Sequence, residues 1–95
     1  MKWIEIIELR SADSNRELLE THLQKLTNEM DKEKVKQAIK VYTRVMIDTD
    51  FSIHLFHDSN KVENSGSALG LRLVSALKAF GLVNHTVWVE RLNNS

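Results

Sequence analysis

Two leucine-rich stretches with helical spacing flank a long central run in which apolar and polar residues alternate, and this order of periods restricts the fold more than any other feature. Leu19, Leu23, Leu26 and Met30 recur at intervals of four, three and four, one stripe of an amphipathic helix. Leu69, Leu73, Leu77 and Phe80 repeat the pattern, with Val74 and Ala76 beside them. Trp3 to Leu9, Ile39 to Ile47, Phe51 to Asp58 and Val83 to Arg91 read as strands rich in β-branched and aromatic residues. The order is strand, helix, strand, strand, helix, strand. It predicts an α+β, ferredoxin-like βαββαβ sandwich: a four-stranded antiparallel sheet in the order 4-1-3-2, with both helices on one face.

The boundaries carry local signals. Ser14-Asn15-Arg16-Glu17 reads as a capping box at the start of helix one. That helix is expected to end near Met30, although Val35, Ala38, Ile39 and Tyr42 also fit a helical period, so the start of strand two stays open. Asp48-Thr49-Asp50 is read as the hairpin. Ile47 then faces Phe51, and on the outer face Arg44 pairs with His54, Tyr42 with Phe56 and Lys40 with Asp58. Helix two starts near Ser65 or Ser67, and Gly70 inside it implies close backbone packing. Gly81 is read as a left-handed C′ residue with Leu82 folded back on the last turn.

The 95 residues form one domain, 1–95, whose core is thin at this size. Zero cysteines exclude disulfides and thiolate chemistry. Lys plus Arg equals Asp plus Glu, 13 of each, so no basic excess points to nucleic acid. No apolar run approaches the ~20 residues of a membrane span. A cytoplasmic protein with neither nucleic acid nor membrane as partner is expected. No His, Asp and Glu set has metal-ligand spacing, and neither a metal nor any other cofactor is implied.

By parity the open sheet face is expected to carry Trp3, Glu5 and Ile7, then Tyr42 and Arg44, His54 and Phe56, and Thr86, Trp88 and Glu90. A monomer rarely exposes so large an apolar patch. The simplest account is a homodimer through this face; the sharper one adds a small-molecule pocket lined by Trp3, Glu5, Tyr42, Arg44, His54, Phe56 and Trp88. Arg44, His54 and Glu5 are the trio to watch, because an arginine fixes a carboxylate or enolate, a histidine moves a proton near neutral pH and a carboxylate orients it. An interfacial salt bridge is the plainer reading of the same residues.

Leu69-Gly70-Leu71-Arg72-Leu73 and Phe80-Gly81-Leu82-Val83-Asn84-His85-Thr86-Val87-Trp88, with the length and element order, resemble uncharacterised members of the dimeric α/β-barrel group, which includes the antibiotic-biosynthesis-monooxygenase-like domains. The resemblance implies two sheets packed face to face. It also implies either a ligand-binding or regulatory dimer or, as the alternative, a cofactor-independent monooxygenase or isomerase acting on a small aromatic or enolic molecule between the sheets. The group's catalytic motifs are not recognisable, so no catalytic residue transfers. Other users of the fold fit less well. RNA-recognition domains carry a basic, glycine-containing strand three, metal carriers a CxxC, and acylphosphatase-like enzymes a glycine-bearing loop where this chain has Ser11 to Asn15.

Overall fold

The computed structural model describes residues 1–12, 16–32 and 38–92. The elements are β1 (Lys2–Ser11), α1 (Arg16–Lys32), β2 (Ala38–Arg44), β3 (Ile47–Asp58), α2 (Ala68–Leu77) and β4 (Gly81–Val89). All strand pairs are antiparallel. The sheet order is β2-β3-β1-β4, which reads 4-1-3-2 from the β4 edge. β1 and β3 are central, β2 and β4 are the edges. This α+β arrangement is compatible with a ferredoxin-like fold.

The helices cover one face, and the core lies beneath them. Ile7, Leu9, Phe51, Ile53 and Leu55 of the central strands pack with Leu19 and Leu23 of α1 and with Leu73 and Leu77 of α2. Fully burying one such side chain contributes about 1.5–3 kcal/mol. The Leu19–Leu23 half of the first leucine stripe is therefore a core face. Ser14 and Asn15 of the expected capping box lie outside the described residues. α1 runs two residues past Met30, and β2 begins at Ala38. The α2 start is set by Ser67, whose hydroxyl accepts from the Gly70 amide at 3.0 Å, an N-cap bond.

The β2–β3 hairpin departs from expectation. Its turn is Val45-Met46, and Asp48, Thr49 and Asp50 belong to β3. The cause is β1. Its ladder with β3 continues to Arg10↔Asp50, and Arg10 Nε and Arg44 Nη1 lie 3.5 and 3.3 Å from the Asp50 carboxylate. Ser11 Oγ also donates to the Thr49 carbonyl at 2.9 Å. Pairing with a long central strand outweighs the turn preference of Asp-Thr-Asp. Lys40 therefore faces His54, and Tyr42 faces Ser52, in place of the expected Arg44–His54, Tyr42–Phe56 and Lys40–Asp58 pairs. For these two the displacement is four residues, an even number, so Lys40 and Tyr42 keep the face that parity gave them; Arg44, past a register break after Thr43, lies opposite Ile47.

Gly81 is also corrected. It opens β4 against Ser11, and Gly66 holds the positive-φ glycine conformation instead. Leu82 does not fold back; it is 76% exposed.

Met46 has φ 67 at a turn position that favours glycine, and a left-handed residue with a Cβ costs about 1–2 kcal/mol. Met46→Gly is expected to stabilise the protein by about 0.5–1 kcal/mol and β-branched Met46→Val to destabilise it by about 1 kcal/mol. Urea midpoints in the order Gly, Met, Val, highest first, check this; equal midpoints contradict it.

Candidate functional site

Two sites emerge, one on each face of the sheet. On the open face the β-ladders align side chains into rows across the strands. Phe56, Ile4 and Trp88 form one row; Lys40, His54, Ile6 and Thr86 the next; Tyr42, Ser52, Glu8 and Asn84 a third; Asp50, Arg10 and Leu82 a fourth. A further row, Lys2 with Asp58 and Glu90 on either side, precedes the first. The apolar row thus lies just inside a charged rim at the start of β1, and the face becomes charged again toward the end of β1.

Trp88 is 58% and Tyr42 46% exposed, while Ile4, Ile6, His54 and Phe56 are half-buried. Lys40 Nζ sits 5.6 Å from the Phe56 ring centroid, within cation–π range. The Tyr42 and His54 ring centroids are 4.8 Å apart, and Ser52 Oγ lies 2.9 Å from His54 Nε2. At the charged end an open trough of about 540 Å³ runs past Arg10, Tyr42, Arg44, Asp50 and Leu82, a volume in the range of small-molecule sites.

Tyr42, Arg44, His54, Phe56 and Trp88 therefore share the face the sequence places them on. Trp3, Glu5 and Ile7 do not. They project under the helices, where Trp3 is 2% exposed and Glu5 and Ile7 are fully buried. Both parities of β1 are apolar, so alternation alone left the choice open. The parity with Trp3, Ile7 and Leu9 carries the larger apolar volume and takes the core. The Arg44–His54–Glu5 trio consequently does not assemble. Arg44 pairs with Asp50, and Glu5 lies on the other side of the sheet.

What Glu5 does instead was missed by sequence reasoning. Its carboxylate accepts four hydrogen bonds. Oε1 accepts from the Ser67 amide at 2.9 Å and lies 2.9 Å from His85 Nε2. Oε2 accepts from the Ser67 hydroxyl at 2.6 Å and lies 2.6 Å from His57 Nε2. A carboxylate only accepts, so both histidines present Nε2–H to it. Trp3 stacks on His57 with ring centroids 3.9 Å apart and donates its indole N–H to Ser59 Oγ at 2.9 Å. Gly66 and Gly70 complete the enclosure: a Cβ on either would collide with the Glu5 carboxylate, and at Gly66 with the His85 ring as well.

The cluster joins β1, β3 and β4 to the first turn of α2. Burial alone would push the Glu5 carboxyl up. The hydrogen bonds from the Ser67 hydroxyl, His57, the Ser67 amide and His85 outweigh that and hold it below its ordinary value of 4.5. A legible signal did exist: the valines of β4 place His85 on the helix side, and His57 lies opposite in parity to His54. Both histidines thus belong to the same sheet face as Glu5. Among the described residues no group of three His, Cys, Asp or Glu side chains is arranged to hold a metal ion. Glu5, with every lone pair direction occupied by a donor, is an electrostatic clasp.

Glu5→Gln replaces one carboxylate oxygen with an NH2 group, which leaves the two donors on that side without an acceptor and removes the charge from the other two. It is expected to destabilise the protein by about 3 kcal/mol. The native carboxyl gives up its proton more readily than the unfolded one. It therefore adds stability that is complete above 4.5 and lost as the pH falls below it. The wild-type advantage over Glu5→Gln in urea unfolding should be full near neutral pH and shrink progressively as the pH falls below 4.5. A constant difference would show that Glu5 is not ionised in the native state.

No protein-family model matches the chain, and no curated protein and no solved structure matches it. No helix among the described residues is long and apolar enough to cross a membrane.

Proposed function

We infer that the protein is a homodimeric ligand-binding or regulatory module whose open sheet faces pack together, as in a dimeric α/β barrel. The observation that carries this is the apolar row Phe56–Ile4–Trp88, with Ile6 behind it, on a face that neither helix covers. Ten residues of β1 at ~3.3 Å, by four strands at ~4.8 Å, give a face of roughly 600 Å². Two such faces bury about 1,200 Å², the lower bound for a specific stable interface.

A two-fold axis running along the strands sets the apolar row of one copy on that of the other. It also sets charged end on charged end, where Arg10 and Arg44 are balanced by Glu8 and Asp50. The two troughs then face each other and close into one pocket, with Arg44 and Tyr42 of both copies in its walls. That pocket is where a small molecule would sit. The alternative of a cofactor-independent monooxygenase or isomerase needs an open cavity that reaches both Arg44 and His54, with Glu5 to orient the histidine; the trough reaches Arg44 but His54 is not in its lining. With Glu5 held by His57, His85 and Ser67, that reading lacks its carboxylate, and binding is the better-supported function.

Native mass spectrometry at micromolar concentration tests this. The wild type is expected at twice the chain mass, with any retained ligand seen as added mass. Ile6→Glu, a change on the half-buried open face that leaves the core intact, is expected to weaken association at least about 100-fold, or ~2.7 kcal/mol. A monomeric wild type, or a dimer indifferent to Ile6→Glu, overturns the reading.

A further inference from the structure

The two sheet edges are protected very differently. β2 carries Lys40 and Arg44, and its register is broken between Thr43 and Arg44, common devices against edge-to-edge pairing. β4 has none of these. Gly81-Leu82-Val83-Asn84-His85-Thr86-Val87-Trp88-Val89 contains no Lys, Arg, Asp, Glu or Pro, and its pairing to β1 runs unbroken from Trp3↔Val89 to Ser11↔Gly81. None of its nine residues is buried; even Val83, Val87 and Val89 on the helix side are only half-covered.

The hydrogen-bond phase of this edge follows from its ends. The Glu90 amide donates to the Lys2 carbonyl at 2.9 Å, and the Ala12 amide to the Phe80 carbonyl at 3.0 Å. Alternation along an antiparallel ladder turns the amides and carbonyls of the even-numbered residues toward β1. Those of Gly81, Val83, His85, Val87 and Val89 point outward. Among the described residues no strand pairs with them.

We propose that β4 pairs antiparallel with β4 of a second copy about a two-fold axis at His85, joining two sheets edge to edge. The strand's own sequence selects this occupant and register. With His85 opposite His85, Val83 faces Val87 of the second copy, Asn84 faces Thr86 and Leu82 faces Trp88. Apart from the end pair Gly81–Val89 every pair matches in kind, and all outward-pointing backbone groups meet their counterparts. A two-residue slip sets Leu82 against Thr86 in one direction or Asn84 against Trp88 in the other. A one-residue slip puts outward groups opposite inward ones. The pairing also sets the most exposed apolar side chains of the strand, Leu82 at 76% and Trp88 at 58%, against each other. It does not depend on the face-to-face contact.

The absence of cysteine makes the test clean. Leu82→Cys and Trp88→Cys are introduced together and the protein is oxidised. Within one strand these positions are about 20 Å apart, beyond disulfide reach, so any bridge links two molecules. The expected result is a covalent dimer whose peptide map joins position 82 to position 88. It should exceed several-fold the dimer formed by Leu71→Cys, an exposed α2 site that reports random collision. The bridge should persist with Ile6→Glu added, whether or not the open faces associate. It should be lost with Val87→Pro, which removes an outward amide that β1 does not use. Val83→Pro serves the same purpose if circular dichroism shows Val87→Pro to be misfolded. Cross-linking no greater than the Leu71→Cys control, bridges joining 82 to 82 or 88 to 88, or bridging unaffected by the proline overturns the proposal.

Discussion

The structure depends on one buried negative charge. Isolating a carboxylate from water costs several kcal/mol unless donors replace the solvent, and Glu5 has four donors, from Ser67 twice and from His57 and His85. These come from β3, β4 and the N-cap of α2, so satisfying the charge also fixes where α2 meets the sheet. Leucines alone could tolerate several docking angles; a carboxylate with four directed bonds tolerates few. The requirement propagates outward. Gly66 and Gly70 must lack side chains, Ser67 must serve both as cap and as donor, and Trp3 must lie flat on His57.

Committing the Trp3–Glu5–Ile7–Leu9 parity of β1 to the core leaves Ile4 and Ile6 on the far side. With Phe56, Trp88 and Tyr42 they form a surface that neither helix reaches. The same strand that anchors the interior thus supplies the centre of the proposed interface. The polar end of that surface, where Arg10 and Arg44 flank Asp50, holds the open trough and gives the binding reading its location.

Element order and the two leucine stripes were legible in the sequence because each depends on local periodicity. The face assignments of β2, β3 and β4 were legible for the same reason. β1 was not. Ile4 and Ile6 balance Trp3, Ile7 and Leu9, and a glutamate read in isolation belongs in water. The donors that bring it inside are 52, 62 and 80 residues away, and no local pattern announces them. The hairpin failed similarly: Asp48-Thr49-Asp50 has turn chemistry, but the length of β1 and the Arg10–Asp50 pair draw it into a strand. The turn falls instead on Val45-Met46, residues with no turn preference.

The central claim is that a second copy of the chain covers the open face. An isotope-filtered NOE experiment on a mixture of ¹³C-labelled and unlabelled protein tests it at the residues concerned. The account predicts intermolecular NOEs from the methyls of Ile4 and Ile6 to aromatic protons of Phe56 and Trp88. NOEs confined to one molecule, together with the tumbling rate of a single 11.0 kDa chain, would contradict it.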